Sequence, residues 1–346
     1  MRVVLIVPAP FATVSGGYNY DRAVVAGLRR AGHAVEVLAL AGRHPLPDEA
    51  AAAAARAAWS VLPADATPVI DGLCLPSFAA LADALAARRT IGLIHHPTAL
   101  EPDRDEAARE ALRRIECTLF RRLARVIVTS TATAERLTAE FGVLAERLSV
   151  VMPGTDPAPR SEGSGGPGCA ILSVGVLTPR KGHDVLLHAL ARLPDLDWTL
   201  TIAGGARDAA YASMLRALAA ELDIAARVGF AGELVAEALE AWWRRADLFA
   251  LATRFEGYGM AIAEALRRGV PVAVTDGGAA GALVTPQTGV VAAVGDAAAL
   301  SRALRRLIFD RPLREEMREA AWQAGQALPD WTAQTAAFAA VLAEGG

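Results

Sequence analysis

The sequence has few cysteines, no long apolar run and almost no net charge. Its three cysteines, Cys74, Cys117 and Cys169, are far apart and odd in number. They form no metal-ligand spacing and no disulfide framework, which predicts a reducing, cytoplasmic compartment. No run approaches the ~20 apolar residues that a membrane span needs. A net charge of −3 argues against a nucleic-acid-binding protein.

The composition is that of a folded α/β protein. Hydrophobic residues make up 53% of the chain, which excludes disorder, and 346 residues allow two domains of ordinary size. Twelve short apolar runs alternate with helical stretches, a pattern typical of doubly wound parallel sheets. The predicted strands are Val3–Val7, Val35–Leu40, Thr67–Ile70, Ile91–His95, Val126–Thr129, Leu148–Val151, Ala170–Val174, Trp198–Ala203, Arg227–Phe230, Leu248–Ala252, Pro271–Thr275 and Gly289–Ala292.

These runs form two series, separated by a segment rich in glycine, serine and proline. That segment, around residues 161–168, is interpreted as a flexible linker. We therefore expect two Rossmann-like domains, 1–160 and 169–328, facing across a cleft at the carboxyl ends of their strands. The tail, 329–346, predicts a helix that packs back on the N-terminal domain.

Two features of the first half are candidates for ligand contact. Gly16-Gly17 lies before a helix and allows close approach of a phosphate, although a plain turn is the favoured explanation for this stretch on its own. His95-His96 follows the fourth strand. Adjacent residues on an extended segment point to opposite sides, so at most one can face a ligand, and we favour His95.

In the second half, Arg180 and Lys181 precede a helix. Two cations at a helix N-terminus are unfavourable unless an anion lies between them and the helix amides. Further on, Glu256-Gly257-Tyr258-Gly259 follows a buried strand and leads into a helix that carries Glu264. Glycine amides suit a phosphate, and carboxylates at two depths suit hydroxyl groups, as in a nucleotide-linked sugar.

Two other patterns favour structural roles. The triplets Asp103-Arg104-Asp105 and Asp195-Leu196-Asp197 have a spacing that binds Mg²⁺ beside a diphosphate, but they lie in loops or at helix starts. The Arg113–Arg125 helix is basic, with Leu119 and Phe120 nearby. A peripheral contact with the inner face of a membrane is an alternative to a solvated face.

Taken together, the motifs resemble glycosyltransferase family 4, retaining enzymes of the GT-B fold that use a nucleotide-sugar donor. The resemblance runs through most of the chain. It departs at Val176, because many members place an arginine directly after the glycine equivalent to Gly175; Arg180 is the expected substitute. The matching stretches are Gly16-Gly17 with Gly32-His33, Ser130, Pro153–Asp156, Gly175–Leu177 with Lys181-Gly182, Val228–Gly232, Glu256–Gly259 with Glu264–Leu266, Gly269–Val272 and Trp331.

The resemblance implies roles for individual residues. Arg180 and Lys181 would hold the donor diphosphate, Glu264 the ribose and Glu256 the transferred sugar, with His95 near that sugar. The implied catalytic group is His95, Arg180, Lys181 and Glu256. The implied donor-binding group is Gly16, Gly17, Arg180, Lys181, Phe230, Gly232, Glu256, Gly257, Tyr258, Gly259 and Glu264.

The expected reaction is metal-independent, without a cofactor. It would transfer a hexose from a UDP- or GDP-linked donor to a hydroxyl acceptor, either a glycan, a lipid-linked molecule or a small molecule. Two alternatives remain: a nucleotide-sugar epimerase or hydrolase on the same scaffold, and a non-catalytic sugar-nucleotide-binding protein.

Overall fold

The chain folds into two compact units in a computed structural model that describes residues 1–345. Unit 1 contains Met1–Gly154 and the chain from Pro329 onward, and unit 2 contains Thr155–Leu328. Each unit has a six-stranded sheet in which all paired strands are parallel. The predicted class, two parallel-sheet α/β domains, is confirmed.

The sheet of unit 1 has the strand order β2-β1-β3-β4-β5-β6. Its strands are β1 (Arg2–Pro8), β2 (Ala34–Leu40), β3 (Ala66–Asp71), β4 (Ile91–Ile94), β5 (Arg125–Val128) and β6 (Leu148–Val150). The helices that connect them are α1 (Gly16–Arg30), α2 (Glu49–Ser60), α3 (Ala82–Ala87), α4 (Glu106–Phe120) and α5 (Thr131–Phe141).

The sheet of unit 2 has the strand order β12-β11-β10-β7-β8-β9. Its strands are β7 (Cys169–Val174), β8 (Trp198–Ala203), β9 (Val228–Gly232), β10 (Leu248–Leu251), β11 (Val272–Thr275) and β12 (Gly289–Ala292). Its helices are α6 (His183–Ala191), α7 (Ala209–Glu221), α8 (Ala236–Arg245), α9 (Met260–Arg267), α10 (Ala297–Phe309) and α11 (Arg311–Gln326).

Both faces of each sheet are covered, which is why the strands are apolar throughout. Along β1, Val4 and Ile6 enter one hydrophobic core while Val3, Leu5 and Val7 enter the core on the opposite face. Successive side chains of a strand point to opposite faces, so a sheet buried on both sides requires apolar residues at every position.

The strand orders locate one switch point in each sheet. In unit 1 the chain moves outward from β1 in one direction to β2 and in the other to β3; in unit 2 it does so from β7, to β8 and to β10. In open parallel sheets, ligands bind beyond the carboxyl ends of the strands at such a point. These two edges are therefore where functional side chains are expected.

The segment expected to link the domains belongs to unit 2. The division lies between Gly154 and Thr155, and Ser161 is buried, with its Oγ donating to the carbonyls of Arg244 (3.0 Å) and Ala246 (2.8 Å). Residues 151–168 are free of helix and strand, as their composition indicates. Irregular structure is nevertheless fixed here, because its polar groups are satisfied by unit 2.

The last helix, α12 (Trp331–Gly345), lies against α1 in unit 1. A Cβ atom on Gly27 would stand 2.2 Å from Thr335 Oγ1, so only glycine allows this close approach. The rings of Tyr20 and Trp331 meet edge to face, with centroids 5.5 Å apart. Within residues 1–345, every helix is too short or too polar to cross a membrane.

Candidate functional site

In unit 2, the loops that follow β7 and β10 bring the predicted cations and one predicted acid together. Lys181 Nζ donates to Glu256 Oε1 at 2.6 Å, and Arg180 NH1 lies 3.7 Å from the same oxygen. Arg180 NH1 also donates to the Phe255 carbonyl at 2.7 Å. Thr253 Oγ1 is a second hydrogen-bond donor to Glu256 Oε1, at 3.0 Å. The structure thus pairs Lys181 with Glu256, whereas the resemblance implies a separate ligand contact for each.

Two glycines permit this approach. A Cβ on Gly175 would stand 3.2 Å from the Lys181 side chain. Gly182, the N-cap of α6, has a φ of +63°, and a Cβ there would stand 1.9 Å from the Ala252 carbonyl oxygen. Gly175 directly follows β7. Because it has no Cβ, the aliphatic part of the Lys181 side chain can pack on its backbone at the switch point.

The charges of this cluster do not cancel. Burial lowers the pKa of Lys181, and Arg180 acts in the same direction while Glu256 opposes them. Burial acts to raise the pKa of Glu256, but Lys181 and Arg180 outweigh it and hold that pKa below its usual range. Two cations against one carboxylate leave one excess positive charge in a largely buried setting, which favours an anionic ligand.

Lys181 is the only lysine among the 35 lysine and arginine residues of the sequence. Arginine therefore supplies the other 34 of these side chains, but an ammonium group lies at the switch point. An ammonium is a compact charge with three N–H donors, and a planar guanidinium does not replace it at a crowded site. This compositional signal, which the motif analysis did not use, singles out the same residue.

The glycine turn continues from Glu256 into α9. Gly259 caps α9 with a φ of +103°, a conformation that favours glycine, and the first amides of the helix follow it. Tyr258 is buried, its hydroxyl has no hydrogen-bond partner within residues 1–345, and burial raises its pKa to about 12. The predicted residues Gly257, Tyr258 and Gly259 therefore lie between Glu256 and a helix N-terminus.

Glu264 lies on α9, one turn beyond its start. Its carboxylate makes no hydrogen bond within the described part of the chain, and burial raises its pKa to about 7. Arg268 acts to lower that pKa, but its guanidinium is bonded to Glu240 at 2.6 Å. Glu264 is thus a partly buried carboxyl group with its hydrogen-bonding capacity unused, separate from the Lys181–Glu256 pair.

Phe230 and Gly232 lie on β9, the edge strand. The Arg216 guanidinium stands over the Phe230 ring, 5.1 Å from its centroid, and Gly232 has a φ of +73°. The Gly232 carbonyl accepts from Gly204 N at 2.8 Å. No hydrogen bond within residues 1–345 joins these two residues to Lys181 or Glu256, so the structure does not bring all predicted donor-binding residues into one bonded group.

In unit 1, His95 follows β4 and meets α1. A Cβ on Gly17 would stand 3.2 Å from His95 Cδ2, so the glycine pair at the start of α1 allows the imidazole to pack there. His95 Nε2 lies 3.0 Å from Asp21 Oδ1 and 3.4 Å from Asp71 Oδ2. His96 points elsewhere, with its Nε2 2.9 Å from Glu101 Oε1.

The two aspartates were missed by the sequence analysis. Asp71 ends β3, next to β4 in the sheet, so a carboxylate directly after a buried strand was the available signal. Asp21 lies one helical turn after Gly17 on α1, and no local pattern distinguishes it. The ligand-type atoms of Asp21, Asp71 and His95 lie within 4.8 Å of one another, a spacing that also suits a metal ion.

The structure removes the apolar part of the argument for membrane contact through the Arg113–Arg125 stretch, and the contact itself stays a prediction. Leu119 and Phe120, the apolar residues proposed for that contact, are fully buried in the core. Arg113 is paired with Glu140 at 2.8 Å, and Arg122 with Asp83 at 2.8 Å. Leu119 and Phe120 are therefore not available to a membrane, and the ion pairs lie over a packed core.

The Asp-x-Asp triplets lie where structural roles account for them. Asp105 caps α4, with its side chain accepting from Ala108 N at 2.7 Å. Asp195 receives two bonds of 2.7 Å from the Arg305 guanidinium. At least one carboxylate of each triplet is thus engaged with the protein itself.

Two family descriptions match the chain in succession. Residues 14–159 match "Glycosyltransferase Family 4", and residues 158–324 match "Glycosyl transferases group 1". The first match contains the His95 cluster, and the second contains the Lys181–Glu256 pair and Glu264. Together the two matches cover nearly all of both units.

Two relatives are similar to this chain over part of its length. The lipopolysaccharide core biosynthesis mannosyltransferase LpsB of Rhizobium meliloti (strain 1021) is 33% identical over 214 residues, which are 56% of this chain and 58% of that enzyme. The D-inositol 3-phosphate glycosyltransferase of Mycobacterium sp. (strain KMS) is 34% identical over 184 residues, 50% of this chain and 41% of that enzyme. The chain thus spans about half the length of these relatives.

Solved structures match over the whole chain. The sucrose-phosphate synthase of Thermosynechococcus elongatus superposes with a TM-score of 0.84 at 18% identity, covering 99% of each chain. Anabaena HepE in complex with UDP-glucose gives 0.79 at 20% identity, covering 99% of this chain and 100% of the other. These likenesses establish the GT-B fold. The two family matches, which together span residues 14–324, show that the chain belongs to glycosyltransferase family 4.

Proposed function

We propose that this chain transfers a hexose from a UDP- or GDP-linked donor to a hydroxyl acceptor, with retention at the anomeric carbon and without a metal ion. The observation that carries the proposal is the Lys181–Glu256 pair beside Arg180 at the β7/β10 switch point. It combines an excess positive charge for a diphosphate with a carboxylate for sugar hydroxyls.

The cations keep hydrogen-bonding capacity for the diphosphate. Lys181 has three N–H donors, of which Glu256 takes one, so two remain for phosphate oxygens. The N-termini of α6 and α9 each add roughly half a positive charge. As the glycosidic bond breaks, negative charge builds on the leaving diphosphate, and preorganised positive groups of this kind stabilise it.

The acids have unused oxygens for hydroxyl groups. Glu256 accepts from Lys181 and Thr253 through Oε1 alone, and its Oε2 accepts no hydrogen bond from residues 1–345. Oε2 is thus suited to hydroxyls of the transferred sugar. Glu264, whose partly buried carboxyl makes no hydrogen bond within residues 1–345, suits the two adjacent hydroxyls of a ribose.

The relatives support this choice of donor and reaction. LpsB is named a mannosyltransferase, and the HepE structure contains UDP-glucose. Retention, and reaction without a covalent nucleophile, are properties that the family likeness supports. We extend the acceptor class no further than a hydroxyl group on a glycan, a lipid-linked molecule or a small molecule.

A thermal-shift panel of UDP-, GDP- and ADP-sugars tests the donor, because a ligand that binds only the native state raises its stability. Transfer is then measured with the stabilising donor across a panel of hydroxyl acceptors. Glu264→Ala and Lys181→Ala are each expected to reduce transfer at least about 100-fold with the fold intact. Near-normal turnover in either variant contradicts the assignment.

Two further outcomes identify the alternatives. Conversion of the donor in the absence of any acceptor indicates an epimerase or a hydrolase. Tight nucleotide binding without transfer to any acceptor indicates a binding protein.

A further inference from the structure

The cluster of Asp21, Asp71 and His95 in unit 1 joins three elements at one ring nitrogen. Asp21 comes from α1, Asp71 from the end of β3 and His95 from the end of β4. Both carboxylates are nearly inaccessible, with 1% and 4% of their surface exposed. Two buried carboxylates this close are both ionised only beside a compensating positive charge, since an unpaired buried charge is strongly unfavourable.

The other contacts of these residues fix the ring. Asp71 Oδ1 accepts from Leu73 N at 2.7 Å, which leaves Oδ2 to face the imidazole. The ring of Tyr20 packs edge-on against His95, with centroids 5.2 Å apart. Thr129 Oγ1 donates to the His95 carbonyl at 3.2 Å. The imidazole therefore has one orientation, with Nε2 toward the carboxylates.

The second ring nitrogen is differently placed. His95 Nδ1 has no hydrogen-bond partner within residues 1–345, and 18% of the side chain is exposed. In a neutral imidazole that donates from Nε2, Nδ1 is an acceptor; in an imidazolium, both nitrogens are donors. The protonation state set at Nε2 thus decides which kind of ligand atom Nδ1 can bind.

We propose that Asp21 and Asp71 are positioning residues that keep His95 as an imidazolium, so that Nδ1–H donates to an oxygen of the sugar substrate and the ring does not act as a general base. The inference rests on the proposed function for its substrate, and on the geometry of unit 1 for the charge. It assigns a role to two residues that no motif of the sequence indicated.

The electrostatics agree with the geometry. Burial acts to lower the pKa of His95, but Asp21 and Asp71 outweigh it and raise that pKa to about 10. Burial raises the pKa of Asp21 to about 6, with His95 opposing it and Asp71 acting in the same direction. Near neutral pH the imidazolium is therefore retained.

The other titratable or charged groups around the cluster come from each neighbouring element. The Arg22 guanidinium has the smallest effect among the groups that shift the pKa of Asp21. The buried Cys74 thiol is neutral near pH 7, because burial and both aspartates raise its pKa. The remaining groups are Tyr20 on α1, His44 near Asp71, and the His96–Glu101 pair beyond β4.

A metal ion is the rival explanation for the same three residues. It would replace the proton between Nε2 and the two carboxylate oxygens, and would leave the imidazole neutral. The two cases predict opposite results when the protein is given Zn²⁺ or Mn²⁺ alone.

The charge of His95 is measured by NMR on histidine-labelled protein, with His95→Gln used to assign its signals among the six histidines. We expect the ring to stay charged up to at least pH 8.5. Asp71→Asn and Asp21→Asn should each lower its titration point by more than one pH unit, and Asp65→Asn, an exposed control in the same unit, should not move it. Titration of wild-type His95 near pH 6.5 overturns the proposal.

Kinetics distinguish positioning from simple loss of structure. In wild type, kcat should be insensitive to His95 between pH 7 and 9, whereas in Asp71→Asn it should fall as pH rises through the lowered pKa. The donor KM should change little, since the Lys181–Glu256 pair is intact. A uniform loss of kcat at all pH values overturns the proposal.

Metal titration supplies the remaining test. Binding of Zn²⁺ or Mn²⁺ that depends on His95, with displacement of its ring proton, also overturns the proposal. If transfer activity is absent from wild type altogether, the proposed function fails, while the NMR titration still decides the charge of His95.

Discussion

The two switch points use the same local geometry with opposite charge. In each unit a glycine allows a cationic side chain to pack on the backbone, Gly17 beneath His95 and Gly175 beneath Lys181, each with a hypothetical Cβ contact of 3.2 Å. In unit 1 two carboxylates face one cation, whereas in unit 2 two cations face one carboxylate, Glu256. The excess charge therefore suits a diphosphate in unit 2 and a hydroxyl-bearing ligand in unit 1.

The largest effect is expected from removing the ammonium of unit 2. Lys181→Ala should lower kcat/KM by about 100-fold or more, because the leaving diphosphate loses its closest cation. Lys181→Arg should remain at least about 10-fold impaired, since the planar guanidinium cannot divide its donors in the same way. Arg245→Ala, an exposed residue on α8, is the control. Full activity of Lys181→Arg would show that charge alone matters.

The next effect concerns the acid of α9. Glu264 has a pKa of about 7, so it is mostly protonated below neutral pH. If its carboxylate binds ribose hydroxyls, the donor KM should rise by up to about 10-fold per pH unit as pH falls from 7 to 6. Glu264→Gln should abolish that dependence. Donor affinity that is constant from pH 6 to 8 would exclude this role.

The Asp21–Asp71–His95 cluster of unit 1 should make the free energy of unfolding fall at alkaline pH, whereas the effect of Glu264 on donor binding is expected at acidic pH. The folded-state pKa of His95, about 10, lies above its unfolded value near 6.5. Its stabilisation is therefore complete below about pH 6.5 and is lost as pH rises through 10, at no more than about 1.4 kcal/mol per pH unit. Chemical denaturation of wild type and His95→Gln from pH 7 to 9 measures it. Parallel curves would contradict the charge assignment.

A smaller effect is expected where α12 meets α1. Gly27→Ala places a methyl group against Thr335 and should cost about 1 kcal/mol of unfolding free energy. Thr335→Ala in the same background should recover part of that loss. Because the contact belongs to unit 1, the stabilisation by UDP- or GDP-sugar should be unchanged; a lost thermal shift would mean that the two sites are not independent.

No effect is expected from chelation. Unit 2 supplies positive charge from Arg180, Lys181 and helix termini, so transfer should continue in EDTA. Loss of activity that Mg²⁺ restores would show that these groups do not suffice.

The sequence predicted the sheets well and the sites only in part. Uninterrupted apolar runs imply strands buried on both faces, and those strands are present. Lys181 and Glu256 were found because each lies in a local motif, but their mutual bond joins segments 75 residues apart. Asp21 and Asp71 were not predicted for the same reason. Their role depends on contact with His95, and both are distant from His95 in sequence.

The expected linker, residues 161–168, shows a different limit of prediction from amino-acid composition. Glycine, serine and proline indicate the absence of helix and strand, and that much is correct. They do not reveal that Ser161 finds partners in the carbonyls of Arg244 and Ala246. Composition reports on regular structure, whereas order depends on what the polar groups meet.

Because Lys181 is the single lysine of the sequence, it can be modified selectively. Apart from the chain's α-amine, an amine-directed electrophile finds one target in these 346 residues, and that target lies at the carboxyl edge of the unit 2 sheet. Since burial also lowers the pKa of Lys181, a larger fraction of it is an unprotonated nucleophile than in an exposed lysine. An aldehyde- or ester-bearing nucleotide would therefore label the Lys181 side chain alone, and the increase in protein mass would measure the fraction of labelled sites.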